Sequence, residues 1–185
     1  MYHWQLFLQV KWENRLMRDC GKTCKVTVDG MDCPVLEPKP FSTHWYSHKF
    51  KKAGLRYKLG ICIQTGWNVW ANGPYPCGPW PNIKIFWHKL QQMLPPGEKV
   101  EADLGYHGES NYIQMPWSAV SLANYRAGNQ ACAHHETING QIKSFNCLSI
   151  CFCHTLDKHS TFFGAVVALV QLSIMMGEQP WQVRY

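Results

Sequence analysis

Lys25-Val-Thr-Val-Asp29-Gly-Met-Asp-Cys33 is the stretch on which the reading of the fold turns. Val26 and Val28 alternate with polar neighbours, as in a half-buried strand, and Gly30 then stands where a strand can end in a turn. That places Asp29 at a strand tip. Asp32, beyond the expected turn, competes as the useful acid, although the Val26/Val28 alternation favours Asp29. A second run, Lys99-Val-Glu-Ala-Asp103, stops in the same way at Gly105, and the pattern from Gln130 to Lys143, which includes Glu136, is helical.

Further along the chain, Leu55 to Gln64 and Trp67 to Trp70 flank Thr65-Gly66 and read as an antiparallel hairpin. Gly73 to Pro81 holds four prolines and two glycines and reads as a rigid connection that continues neither strand nor helix. Asn82 suits an N-cap, and Ile83, Phe86, Trp87, Leu90 and Met93 recur at helical spacing until Pro95-Pro-Gly97. Tyr106 to Asn129 lacks periodicity and reads as a loop facing the site. A last helix is expected over Ser160 to Met176, and a short one within residues 1–19. The order of elements predicts an α/β protein with a mixed sheet flanked by helices on both faces. Asp29 and Asp103 then fall at strand C-terminal ends, where open sheets build their sites.

The chain has 185 residues, 46% hydrophobic and 16% charged, which suits one domain with a substantial core rather than a disordered polymer. Its longest apolar run, residues 162–176, contains Gln171 and falls short of a membrane span, so no membrane partner is expected. The formal charge of +6 is compatible with a polyanion. Lys49, Lys51, Lys52, Arg56 and Lys58 form the main basic cluster, which reads either as a DNA contact or as an ordinary solvated edge. The nine cysteines are odd in number and lack zinc-finger spacing, and Met1 is followed by Tyr-His-Trp rather than a secretory leader. Reduced thiols inside a cell are the simpler account.

Three carboxylates from two strands and a helix suit hard divalent cations, and two such ions can activate an oxygen nucleophile and stabilise a departing one at a phosphodiester. Asp29, Asp103 and Glu136 are therefore the candidate catalytic and metal-binding residues. Each has a plainer reading, the aspartates as turn residues and Glu136 as a surface residue. Lys143 lies seven residues beyond Glu136, on the same helical face and about 10 Å along the axis, where it could meet a phosphate. His134 is a further candidate for phosphate contact.

Taken together, Thr27-Val-Asp-Gly-Met-Asp-Cys-Pro34, Trp45-Tyr-Ser-His-Lys-Phe50, Gly54-Leu-Arg-Tyr57, Glu101-Ala-Asp-Leu-Gly-Tyr106 and His135-Glu-Thr-Ile-Asn-Gly140 with Lys143 resemble a DDE-superfamily transposase domain, closest to its PIF/Harbinger and IS5-like branch. The likeness spans roughly residues 24–180, with 1–23 as a lead-in and 181–185 as a tail. It implies an RNase H-like fold, Asp29, Asp103 and Glu136 as the acidic triad, and two Mg²⁺ or Mn²⁺ ions. It also implies double-stranded transposon ends as substrate, strand cleavage with transfer of the 3′-hydroxyl, and a nuclear location. Lys143 matches the basic residue that follows the glutamate. A separate Myb-like DNA-binding partner and a homo-oligomer are compatible with the family. Relatives often have arginines where this chain has Cys132, Ala133 and His134, and an aspartate where it has Asn82. With only 28 residues ahead of Asp29, the chain reads as a fragment, a decayed copy or a domain that takes its DNA specificity from elsewhere. The alternatives are a transposase-derived interaction module without catalysis and a zinc-binding structural domain built on residues 132–154.

Overall fold

A computed structural model describes residues 10–19, 21–103, 106, 109–115 and 122–177, with side chains 123 and 124 excepted. The described residues form a mixed α/β fold around a six-stranded mixed sheet. β1 (Cys24–Pro34) is central. On one side it pairs antiparallel with β3 (Lys52–Cys62), which pairs antiparallel along its other edge with β2 (Tyr46–Ser47) and β4 (Asn68–Pro76). On the other side β1 pairs parallel with β5 (Lys99–Ala102), and β5 pairs parallel with β6 (Ile113–Gln114).

β1 does not stop at Gly30. It continues to Pro34 because β3 matches it along the whole length, from Val26 opposite Cys62 to Pro34 opposite Gly54. Asp29 is thus an interior strand residue rather than a tip. Gly30 answers a different need, since a Cβ there would run into the side chain of Asn82. The expected connection after Gly73 is also partly strand: β4 reaches Pro76, with Tyr75 opposite Arg56 and Pro76 opposite Leu55. Proline is tolerated there because β4 is an edge strand, whose outward N–H positions need no partner.

The hairpin between β3 and β4 turns through Thr65 and Gly66, as its apolar flanks predict. Gly66 has φ of +72°, and its missing Cβ leaves room for the His134 ring. Helix α1 (Asn82–Ile85) continues as a π turn (Phe86–Leu90) and a 3₁₀ turn (Gln91–Met93). Pro81 occupies its N-cap position, so Asn82 is the first helical residue and not the cap. Helix α2 spans Leu122–Lys143 and begins well before Gln130, so part of the expected loop is helical. The short α3 (Asn146–Ser149) follows, and α4 (Leu156–Met175) completes the fold. Near the N-terminus a 3₁₀ turn, Trp12–Leu16, is held by a buried ion pair from Arg15 Nε to Glu98 Oε1 at 2.7 Å. Residues 1–9 and the tail 181–185 lie outside the described residues.

Strand alternation sends side chains into two cores. On one face Met31, Tyr57, Leu59 and Ile61 meet Ile138 and Ile142 of α2 and Phe163 and Val167 of α4. On the other, Val26, Val28, Val100 and Trp70 meet Phe86 and Leu90. Each fully buried side chain of this size contributes about 1.5–3 kcal/mol, so the helices are pinned by the sheet more than by their own propensity. Two buried hydrogen bonds tie α4 to the sheet where it crosses. Gln171 Oε1 accepts the Asn68 backbone N–H at 2.7 Å, and the Tyr57 hydroxyl bonds His159 Nδ1 at 2.8 Å while its ring stacks on Phe163.

Candidate acidic site

Alternation along β1 puts Thr27 and Asp29 on the face covered by α2. The parallel register sets Thr27 beside Glu101 and Val28 beside Ala102, so the next positions, Asp29 and Asp103, fall side by side where β5 ends. α2 crosses above them. Its residues Cys132, Glu136, Asn139 and Lys143 follow one another at steps of four, three and four, with His135 beside Glu136, forming a stripe along one helix face. Two contacts fix this stripe on the sheet: the Thr27 hydroxyl lies 2.8 Å from His135 Nδ1, and Asn139 Nδ2 donates to Asp29 Oδ2 at 3.0 Å.

Asp29, Asp103 and Glu136 consequently line one small pocket of about 50 Å³, together with Glu101, Cys132 and His135. The Cys132 thiol registers the crowding. Burial first, and then the negative charges of Glu101, Asp103, Asp29 and Glu136, push it up to about 12. As the side chains stand, no three His, Cys, Asp or Glu groups among the described residues are gathered tightly enough to hold an ion. That covers the acids of this pocket and the described part of the Cys/His-rich 132–154 region alike. The acids share walls without converging, and Asp29 accepts hydrogen bonds from Asn139 and from the Gly30 N–H.

Three buried groups near the pocket stand out only in three dimensions. Glu101 is buried, its Oε1 has no hydrogen-bond partner, and burial raises its carboxyl to about 7 against an opposing hydrogen bond with Cys24. His135 is held at Nδ1 while its buried Nε2 is unsatisfied, and burial lowers it to about 4. Lys58 belonged to the expected basic cluster, yet it is only 1% exposed. Its ammonium lies over the Tyr106 ring at 4.2 Å, and burial lowers it to about 7 despite the opposing charges of Asp29 and Asp103. Lys58 cannot touch DNA from that position. Its even-numbered place in β3 signalled a side-chain direction opposite to that of Tyr57 and Leu59, but which face was covered was not legible.

The other basic candidates divide. Lys52 and Lys143 line a common cavity of about 400 Å³ with Asp32, Phe50 and Ile150. Lys49 and Lys51 are exposed around the turn before β3. Arg56 instead holds Asp32 in a forked pair, Nε to Oδ1 at 2.6 Å and Nη2 to Oδ2 at 2.8 Å, and donates to the Trp80 carbonyl. Asp32 is further bonded by the Ser47 hydroxyl at 2.6 Å. Burial alone would raise its carboxyl, but the bonds from Arg56 and Ser47 outweigh that and hold it below the usual range. Asp32 is therefore a structural acid, and its even-numbered place in β1 points it to the face opposite Asp29. His134 is buried against the Gly66 turn and is not among the residues lining the acidic pocket.

No protein-family model matches the chain, and neither a curated protein nor a solved structure does.

Proposed function

We propose that the chain is an RNase H-like nuclease domain of the DDE transposase type, nuclear, acting on double-stranded DNA with two Mg²⁺ or Mn²⁺ ions. The observation that carries this reading is the shared pocket of Asp29, Asp103 and Glu136, which sequence separates by over a hundred positions. The sheet supports it as well: a three-stranded antiparallel unit on one side of β1 and two parallel strands on the other are compatible with the fold the family resemblance implies. The donor set fits the ions, because carboxylate oxygens are the ligands such cations prefer. Asp29, Asp103 and Glu136 would hold them after small side-chain rotations, and Asn139 would keep Asp29 turned toward the helix. Bound there, the ions would supply a nucleophile at neutral pH and neutralise charge at the scissile phosphate. The chain's own part is to orient: β1 and β5 fix two acids in adjacent strands, α2 brings the third, and Lys143 farther along the same helix, with Lys52 of β3 beside the same cavity, would offer positive charge for the flanking phosphates.

The test is cleavage of a double-stranded DNA by the purified chain with Mg²⁺ or Mn²⁺, alongside Asp29→Asn, Asp103→Asn and Glu136→Gln, with Mn²⁺ binding followed by calorimetry. Loss of both cleavage and Mn²⁺ binding in each variant supports the proposal. Cleavage unchanged in all three would sink it. A second reading, a DNA- or protein-interaction module without catalysis, is favoured by the separated carboxylates. It predicts DNA binding that needs no metal and is indifferent to the three substitutions.

A further inference from the structure

We infer that the chain pairs with a second copy of itself through the outer face of α4, the two helices running antiparallel. This stands apart from the nuclease reading and rests on different residues. Phe163, Val167, Val170 and Ile174 bury one side of α4 in the core. The outer side carries Phe162, Ala165, Leu169 and Leu172, with Met176 at the cap just past the helix end, at successive steps of three, four, three and four. That is the spacing of a seam between two helices. Phe162 is 40% exposed, Leu169 and Leu172 are 53% each, and Met176 is 77%. No Asp, Glu, Lys or Arg occurs from residue 159 to 177, so the face lacks the charge that a solvated surface helix places outward.

Three arguments select a second copy. The first is area: these side chains and their neighbours offer roughly 500–700 Å² per copy, or about 1,000–1,400 Å² for the pair, which reaches the floor of about 1,000 Å² for a specific interface. The second is shape. An antiparallel register sets Ala165 against Leu169 of the second copy and Phe162 against Leu172, alternating small and large. A parallel, in-register pair would set Ala165 against Ala165 and leave a void. The third concerns the bilayer. α4 is long and apolar enough to cross one, but half of its apolar window is inside the fold. Insertion would strip that half from the core, whereas a helix partner needs only the exposed half.

Sedimentation velocity of the purified chain across the micromolar range is the test. A concentration-dependent monomer–dimer equilibrium is expected, with Leu169→Glu raising the dissociation constant by at least about 30-fold while leaving circular dichroism unchanged, and the urea midpoint unchanged at concentrations where the wild type is monomeric. Ala165→Lys and Leu169→Glu should each be monomeric alone and form a mixed dimer when combined, an outcome that misfolded chains cannot give. A wild-type chain that stays monomeric throughout overturns the inference. So does a dimer that survives Leu169→Glu, or a monomer that co-sediments with phosphatidylcholine vesicles, which would assign the face to lipid.

Discussion

Asn139 donates from Nδ2 to Asp29 Oδ2 at 3.0 Å, joining α2 to the centre of β1 across 110 positions of sequence. One turn of helix earlier, His135 meets Thr27, the neighbour of Asp29 on the same strand face. Glu136 is carried between these two anchors, so its position over the sheet is set by bonds it does not itself make.

Loosening the first anchor should therefore impair chemistry more than folding. Asn139→Ala is expected to cost about 0.5–1.5 kcal/mol of stability, the net worth of one hydrogen bond. Any metal-dependent cleavage should fall by up to about 100-fold, because a displacement of about 1 Å at a reacting centre has that effect. Urea unfolding and single-turnover cleavage measured on one preparation would separate the two, and equal losses in both would contradict the assignment.

Arg56 should behave as a structural residue. Removing it strands the Asp32 carboxylate, which is nearly inaccessible, so Arg56→Ala is expected to destabilise the fold by about 3–5 kcal/mol. Arg56→Lys should recover only part of this, since an ammonium cannot reproduce the forked geometry. Lys49→Ala and Lys51→Ala, by contrast, should leave the urea midpoint in place while each lowers the salt slope of DNA binding by about one.

Lys58 makes stability depend on alkaline pH. Its amine falls from the ordinary 10.5 to about 7 in the fold, chiefly through burial. Above pH 7 the unfolded chain binds the proton that the native state has released, so stability rises with pH, by up to about 1.4 kcal/mol per unit. The rise should show between about pH 7 and 8. Above about pH 8 the buried thiols of Cys24, Cys33, Cys77 and Cys132, each raised from 9.0 to about 12, act increasingly in the opposite sense as the unfolded chain loses those protons first. Lys58→Met should abolish the rise between about pH 7 and 8 in urea titrations, and a rise that persists in the variant would refute the assignment.

On the acid side, His135 and His159 each drop from 6.5 to about 4 through burial, while burial raises Glu101 from 4.5 to about 7. Between pH 6.5 and 4.5 the unfolded chain gains a proton at each histidine, and the native state keeps one at Glu101 that the unfolded chain has lost. The histidines outnumber the glutamate, and His134 shifts in their direction. Stability should therefore fall as the solution is acidified across this window. Glu101→Gln removes the opposing group, so the fall should steepen by about one proton's worth. Urea midpoints at pH 5.0 and 6.5 would show it.

Local patterning made much of this molecule legible. Alternation in Lys25-Val-Thr-Val-Asp29 and in Lys99-Val-Glu-Ala-Asp103 identified two strands, and the apolar runs about Thr65-Gly66 identified the hairpin, because the side-chain period of a strand is written in neighbouring residues. The reach of β1 beyond Gly30 was not, since it depends on β3 as a partner of equal length. The glycine that resembled a stop is instead a clearance for Asn82.

By itself the sequence determined which residues could serve an acidic site, and Asp29, Asp103 and Glu136 were its candidates. Tertiary structure decided which acids share walls, because the parallel register of β1 with β5 and the crossing of α2 are long-range facts. The same packing turned Asp32 and Arg56 into a structural pair and drew Lys58 out of solvent. Charge is a property of a residue, whereas the dielectric around it belongs to the neighbours that folding supplies.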